Sequence, residues 1–358
     1  MEQANFHHLL GAAVKNGASD VHFKVGSPPA LRINGVLRPI RAPALAPEDL
    51  VRICTYVLAA SRFKGQLNEL TEADASYALE GVGRFRTAIF RQKGHLAAIL
   101  RSIPLTVPTF EQLGLPPVLK KIAAEDRGLV LVTGVTGSGK SSTLAALVDF
   151  INTNERKHIL TIEDPIEFIH EDKTSRVTQR EVGPDTPSFA AALKAALRQD
   201  PDVILLGEMR DLETIETAMR AAETGHLVLS TVHTTDAART VNRLIGAFPA
   251  EAQGGVRQRL TECLQAIVSQ RLLPHAKGTG RVLAVEILIN TLSVREFIKE
   301  PGRIEAVKDY LEKSSEMYGT QSFDQHLALL YKAGSITLET AKSAATNPAD
   351  FERALAFE

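Results

Sequence analysis

Residues 134–141, GVTGSGKS, constrain the fold of this chain more than any other stretch. They match the pattern G-x-x-x-x-G-K-[S/T], which is typical of a phosphate-binding loop. An apolar, β-branched run precedes them at 127–133, and apolar residues at helical spacing follow at 142–150. A buried strand, a glycine loop and a helix in that order are the context such a loop requires. The alternative, a glycine-rich turn with a solvated lysine, does not explain that context, so the chain is predicted to bind a nucleoside triphosphate.

The residue types in the loop suit a magnesium nucleotide, here predicted to be ATP with Mg²⁺. Glycines permit positive φ and let backbone N–H groups face the phosphates. Lys140 is expected to reach the β- and γ-phosphates, and the Ser141 hydroxyl to ligate Mg²⁺. The predicted nucleotide-binding residues belong to the loop and the following turn: Gly134, Thr136, Gly137, Ser138, Gly139, Lys140, Ser141 and Ser142.

Composition excludes several other classes of protein. Lys and Arg total 41 and Asp and Glu total 42, so no basic field argues for nucleic acid as a partner. No apolar run approaches the length of a membrane span, and the N-terminus lacks the pattern of a secretory signal. Cys54 and Cys263 stand far apart, which suits reduced thiols and excludes a tetracysteine metal site. We therefore expect a soluble, cytoplasmic protein.

The 358 residues suggest about two domains. Residues 1–102 combine helical and alternating patterns, with helices expected at 5–16 and 47–60, and indicate a small α+β domain. Residues 103–116 contain several prolines and are predicted to be a semi-rigid linker. Residues 117–358 alternate short apolar strands with helices, which predicts an α/β domain with a parallel sheet covered on both faces, ending in a helical region from about 291.

Chemically useful side chains follow the predicted strands of the second domain. Lys140, Glu163, Glu208 and His233 each come at or just after the end of a strand. Ligands of parallel sheets bind beyond the carboxyl ends of the strands, so these residues are expected to meet at one edge. Glu208 is a candidate for Mg²⁺ and for placing the attacking water, and Glu163 is a second candidate base. The pattern does not assign which carboxylate does which work, and helix capping or ion pairing is the structural alternative for both.

Basic residues have less specific interpretations. Arginines on the strands before the linker could stabilise charge on a γ-phosphate, although most such residues are solvated; they are Arg84, Arg86, Arg91 and Arg101. Arg257, Arg259 and Arg271 are interleaved with apolar residues at helical spacing through Leu272. That pattern predicts a packed helix with a charged face rather than a nucleic-acid surface.

Three motifs carry a resemblance to the type II/type IV secretion ATPases, and within them to the pilus retraction ATPases of twitching motility. Residues 197–211, LRQDPDVILLGEMRD, resemble the family signature. Residues 161–167, TIEDPIE, resemble its aspartate box, and residues 230–237, STVHTTDA, its histidine box. The resemblance implies an N-terminal PAS-like α+β domain and a C-terminal RecA-like P-loop ATPase domain. It also implies hexameric rings in which ATP hydrolysis drives pilus depolymerisation.

The resemblance also implies roles for individual residues. Glu163 corresponds to the proposed catalytic glutamate, and Glu208 to the glutamate of the Walker B strand. His226 and His233 correspond to the family's histidines, and Arg86 and Arg101 to N-terminal arginines thought to reach the nucleotide. Implied partners are other copies in a homohexamer, the inner-membrane platform protein of the type IV pilus, and other retraction or extension ATPases of the system. The implied location is the cytoplasmic face of the inner membrane, reached only through those partners.

The sequence departs from the family pattern at residues 293–300. These read SVREFIKE where the retraction ATPases carry AIRNLIRE, which favours an accessory paralogue of the retraction motor as the alternative. A pilus-extension or secretion ATPase is a more distant alternative, because those enzymes usually carry a tetracysteine metal site. A RecA-like nucleic-acid motor would be expected to show a basic stripe. A non-hydrolysing nucleotide-binding scaffold is disfavoured by the intact carboxylates.

Overall fold

The computed structural model describes residues 1–33, 35–61, 63–103, 106–313 and 319–357. The chain divides into two compact units. The first contains Met1–Thr106, Asp164–Ile169 and Glu181–Pro187. The second contains Val107–Glu163, His170–Arg180 and Ser188–Glu358.

The first unit is built on a six-stranded antiparallel sheet. Its elements are α1 (Gln3–Lys15), β1 (Ala18–Lys24), β2 (Ala30–Ile33), β3 (Val36–Pro39), α2 (Pro47–Leu58), β4 (Glu72–Leu79), β5 (Gly83–Gln92) and β6 (His95–Ile103). The strands lie in the order β3-β2-β1-β6-β5-β4. Phe6 on α1 and Ile53 on α2 are fully buried and share one core with Phe23 and Phe85 of the sheet. Both helices therefore pack through the apolar stripe that their periodicity predicts.

The second unit is built on a seven-stranded sheet followed by helices. Its elements begin with α3 (Phe110–Leu113), α4 (Val118–Ala123), β7 (Gly128–Thr133), α5 (Lys140–Asn154), β8 (His158–Glu163), β9 (Arg176–Glu181), α6 (Phe189–Ala196), β10 (Val203–Leu206), α7 (Leu212–Glu223) and β11 (Leu227–Val232). They continue with α8 (Ala237–Gly246), α9 (Gln253–Cys263), β12 (Leu264–Pro274), β13 (Arg281–Ile289), α10 (Leu292–Lys299), α11 (Ala306–Lys313), α12 (Phe323–Lys332), α13 (Leu338–Ala344) and α14 (Pro348–Phe357).

The sheet order of the second unit is β13-β12-β7-β11-β10-β8-β9. β12, β7, β11, β10 and β8 pair in parallel, and β13 is antiparallel to β12. Every residue of β7 and of β11 is buried, so these strands read as continuous apolar runs rather than alternating ones. The predicted α/β class, with an N-terminal α+β part, a parallel sheet and a helical C-terminal region, is confirmed.

The predicted packed helix through Leu272 is wrong. α9 ends at Cys263, and residues 264–274 form β12 between β7 and β13. A central strand is buried on both faces, so its apolar positions do not alternate and can mimic helical spacing. The arginines of this stretch contact protein groups: a guanidinium nitrogen of Arg257 donates to the carbonyl of Ile298 at 2.9 Å, and Nε of Arg259 lies 2.8 Å from a Glu223 carboxylate oxygen.

Among the described residues, no helix combines the length and apolarity needed to cross a bilayer.

Candidate nucleotide-binding site

The loop between β7 and α5 has a shape that only glycine permits at three positions. Gly134, Gly137 and Gly139 have φ values of 142°, 81° and 93°, where a side chain is strained. A Cβ on Gly134 would lie 2.4 Å from Oγ of Ser138 and 2.6 Å from the carbonyl oxygen of Gln270. The chain therefore closes tightly on itself at Gly134.

The N-terminus of α5 directly follows this loop. No described side chain caps the helix, and its first turn carries no acidic residue. Unpaired N–H groups and the helix dipole make such an end favourable for an anion. Nζ of Lys140 lies 2.9 Å from the carbonyl oxygen of Gly134 and 3.2 Å from that of Val135, and the residue is only 8% exposed. The ammonium group is thus held inside the loop, and the next two residues of α5, Ser141 and Ser142, are half-buried.

The predicted strand-end residues follow neighbouring parallel strands. Glu163 is the last residue of β8, Glu208 comes two residues after β10, and His233 directly follows β11. These strands and β7 are consecutive neighbours in the sheet. Their carboxyl ends therefore share one edge, where Lys140 also begins α5.

Glu208 is in contact with two basic side chains. Its Oε2 lies 2.6 Å from Nε of Arg210 and 3.5 Å from Nε2 of His233. The Glu208 side chain is 14% exposed, whereas that of His233 is 48% exposed. Thr231 on β11 donates its hydroxyl hydrogen to the carbonyl of Gly207 at 2.6 Å, which fixes the end of β10 beside β11. The carboxylate is therefore held in position while the imidazole faces solvent.

Glu163 has a separate set of contacts. Its Oε1 accepts hydrogen bonds from the hydroxyl of Thr161 at 2.7 Å and from Nε2 of Gln179 at 3.1 Å. A carboxylate held by two donors has a fixed direction, as a base or a metal ligand requires. Sequence reasoning missed Gln179, because nothing in the local pattern around β9 pairs it with β8.

His226 lies at the amino ends of the parallel strands, whereas the loop lies at their carboxyl ends. It precedes β11, and its Nδ1 lies 2.9 Å from the carbonyl oxygen of Ala221. Its backbone carbonyl accepts from the amide of Gly128, at the start of β7. Of the two predicted histidines, the structure therefore brings only His233 to the carboxyl edge of this sheet.

Arg86 and Arg101 lie in the first unit as direct cross-strand partners on β5 and β6. Both are exposed, and Nε of Arg101 donates to Asp20 at 2.9 Å. Burial alone would raise the pKa of Asp20, but hydrogen bonds from Ser19 and Arg101 outweigh it and hold the pKa below its usual value. Asp20 is only 4% exposed, so a buried carboxylate orients the Arg101 guanidinium.

The altered family segment forms α10, whose apolar face packs inward. Val294 and Ile298 are fully buried. Phe297 meets the edge of Tyr310 with ring centroids 5.9 Å apart, and the guanidinium of Arg303 lies 5.4 Å from the Phe297 ring. The segment is therefore a helix that packs through its apolar face.

The parallel sheet, the glycine loop and the strand-end carboxylates define a nucleotide-binding ATPase of the P-loop class. The profile of the family described as "Type II/IV secretion system protein" matches residues 97–347. The chain belongs to this family, and the predicted family is confirmed.

Individual relatives cover nearly the whole chain. It is 46% identical to the "Type IV pilus retractation ATPase PilT" of Pseudomonas aeruginosa over 96% of this chain and 98% of that protein. It is 41% identical to the "Type IV pilus ATPase PilU" of the same organism, over 96% of this chain and 90% of that protein. The crystal structure of the pilus retraction motor PilT with bound ADP superposes with a TM-score of 0.89 at 48% identity, covering 97% of this chain and 98% of that one.

Proposed function

We propose that this protein is a motor ATPase whose hydrolysis of ATP powers retraction of type IV pili. The observation that carries the enzymatic part is the shared edge on which a phosphate loop, Glu163, Glu208 and His233 are brought together. The pilus part is supported by the 46% identity to PilT, which extends over almost the full length of both proteins.

The loop suits ATP with Mg²⁺. The tight turn at Gly134, the uncapped start of α5 and the enclosed Lys140 ammonium form a cradle for the β- and γ-phosphates. The buried hydroxyl of Ser138 has no hydrogen-bond partner among the described residues, which fits a polar ligand at the loop. Ser141 and Glu208 are proposed to hold Mg²⁺, which would neutralise charge on the phosphates.

Glu163 and Glu208 are proposed to have separate roles in hydrolysis. Glu163, held by Thr161 and Gln179, is proposed to orient the attacking water as general base. Glu208 is proposed to act on the metal and its waters, with His233 in contact with the same carboxylate. A role for His226 is proposed only from the family resemblance; within its own chain its Nδ1 lies 2.9 Å from the carbonyl oxygen of Ala221, at the end of β11 away from the loop.

Arg86 and Arg101 are proposed to stabilise charge on the γ-phosphate in an assembled homohexamer. Further proposed partners are the inner-membrane platform protein of the pilus and the other pilus ATPases, which would hold the motor at the cytoplasmic face of that membrane. The altered residues of α10, together with 41% identity to PilU, favour an accessory retraction ATPase as the second candidate.

Steady-state ATP turnover by a Lys140→Ala variant tests the enzymatic part. Loss of the phosphate contact is expected to lower turnover by about 10²-fold or more. Lys64→Ala, an exposed lysine of the first unit, is the matched control and should keep wild-type turnover. Near-normal hydrolysis by Lys140→Ala would refute the assignment of this loop as the catalytic nucleotide site.

A further inference from the structure

Strand β12 pairs with β7 and continues beside the phosphate loop that follows β7. It pairs in parallel with β7, with Ser269 opposite Thr133, the residue that immediately precedes the loop. The Thr133 hydroxyl lies 3.0 Å from Oγ of Ser269. At the other end of the loop, a Cβ on Gly139 would lie 3.7 Å from Cδ1 of Leu272, in van der Waals contact. Residues 269–272 therefore form the back wall of the loop.

Gln270 is the polar centre of this wall. It is 1% exposed, and its Nε2 donates to Oγ1 of Thr143 at 2.6 Å. Thr143 is also 1% exposed and lies in the first turn of α5, three residues after Lys140. The backbone amide of Thr143 donates to the carbonyl of Gly139, so the same residue closes the first helical turn. The side chain of Gln270 thus joins β12 to the turn that presents Lys140 and Ser141.

The backbone of Gln270 is equally close to the loop. Its carbonyl oxygen lies 2.6 Å from the position that a Cβ on Gly134 would occupy. Gln270 therefore contacts both ends of the phosphate loop. Its backbone carbonyl lies against Gly134, and its side-chain amide binds the first turn of α5. Among the described residues, Oε1 of Gln270 and Oγ of Ser138 are buried without hydrogen-bond partners. Buried polar atoms without hydrogen-bond partners are unfavourable, so packing alone does not explain why Gln270 and Ser138 occupy these positions.

We propose that Gln270 is a positioning residue for nucleotide binding, which holds the first turn of α5 in register through Thr143. This inference rests on the proposed ATPase function. Gln270 touches no phosphate itself; it acts by fixing where Lys140 and Ser141 meet one. Small displacements of such groups weaken binding strongly, because the ligand's charge is matched by preorganised donors.

The test is calorimetric titration of the full chain with ADP and Mg²⁺, alongside KM and kcat for ATP and the melting temperature. Gln270→Leu and the near-isosteric Thr143→Val each remove the amide–hydroxyl hydrogen bond. Each is expected to raise the Kd for ADP and the KM for ATP by about tenfold, and to lower the melting temperature modestly because one buried polar partner is left unpaired. The double variant should bind no more weakly than the worse single variant, because both changes break one interaction.

Two variants serve as controls. Thr143→Ser keeps the hydroxyl and should restore affinity to within about twofold of wild type. Gln265→Leu changes a glutamine at the opposite end of the same strand, where its amide donates to the carbonyl of Arg127 at 3.0 Å, and should leave affinity unchanged.

An unchanged Kd with a lowered melting temperature would overturn the inference, since the hydrogen bond would then only stabilise the fold. Additive losses in the double variant would overturn it as well. If Gln270→Leu does not fold, Thr143→Val decides the question alone. Unaltered ADP affinity in Lys140→Ala would instead refute the proposed function, whereas lost affinity there with normal affinity in Thr143→Val would refute only this inference.

Discussion

The imidazole Nε2 of His233 lies 3.5 Å from Oε2 of Glu208, although the two residues follow different strands. The contact arises because β10 and β11 are parallel neighbours whose ends are tied by the bond from Thr231 to Gly207. A histidine at this distance can help orient the Glu208 carboxylate. We propose from this contact that the histidine box and the strand-end glutamate act together rather than as two separate motifs.

Coupling between these residues predicts non-additive kinetics. Glu208→Gln is expected to lower ATP turnover by about 10²-fold or more while nucleotide binding survives, because the proposed contact of Glu208 is with the metal and its water rather than with a phosphate. His233→Gln should lower turnover by about tenfold, and the double variant should be no slower than Glu208→Gln alone. His158→Gln, a histidine at the amino end of β8, is the matched control. Multiplying effects in the double variant would show that the two residues act independently.

Arg101 provides a test of the proposed contribution from the first unit. Arg101→Gln is expected to lower ATP turnover by about 10³-fold, with little change in ADP affinity, because the charge would act on the transition state. Arg38→Gln, an exposed arginine on the edge strand β3, is the control. Turnover and nucleotide affinity of purified variants are the measurements. Equal turnover in the two variants would show Arg101 to be an ordinary surface residue.

Glu286 predicts a pH-dependent stability. It is 8% exposed on β13, and its Oε1 accepts from the amide of Ala237 at 2.8 Å. Burial raises the pKa of Glu286 to about 7, opposed by the Ala237 bond and by Arg271 and assisted by Asp236 and Asp324. An acid whose pKa is raised on folding stabilises the folded state fully at pH values below the pKa of the unfolded chain, near 4.5. This stabilisation is lost as the pH rises through the folded pKa of about 7.

Glu286→Gln removes this titration and keeps the hydrogen-bond acceptor. Relative to wild type, the variant is expected to gain stability between pH 4.5 and 7, reaching roughly 3 kcal/mol at pH 8. Denaturant unfolding across this pH range measures the difference, with the exposed Glu251→Gln as control. A difference between variant and wild type that does not change with pH would contradict the prediction.

The features that could be predicted best from the sequence are those that depend on residues close together in the chain. The phosphate loop is eight consecutive positions, and α1, β7, β10 and β11 follow from local periodicity. The common edge of Glu163, Glu208 and His233 could be predicted because parallel strands always present their carboxyl ends together. The N-terminal domain at 1–102, the linker at 103–116 and the domain at 117–358 stay predictions.

The features that sequence did not predict depend on contacts between distant positions. Gln270 and Thr143 are 127 positions apart, and Asp20 and Arg101 are 81 apart. Only the pairing of β12 with β7 brings the first pair together, and β12 itself was predicted to be a helix because a strand buried on both faces loses its alternation. The sequence also did not predict that the amide of Ala237 donates to Glu286 on β13.

The central claim is that ATP hydrolysis at this loop retracts a pilus. The most direct measurement is twitching and surface piliation in cells lacking this chain, complemented with wild type, Lys140→Ala or the Lys64→Ala control. Wild type and Lys64→Ala are expected to restore twitching, whereas Lys140→Ala should leave cells heavily piliated and unable to twitch. Normal twitching with Lys140→Ala, or cells that lack pili when the chain is absent, would contradict it.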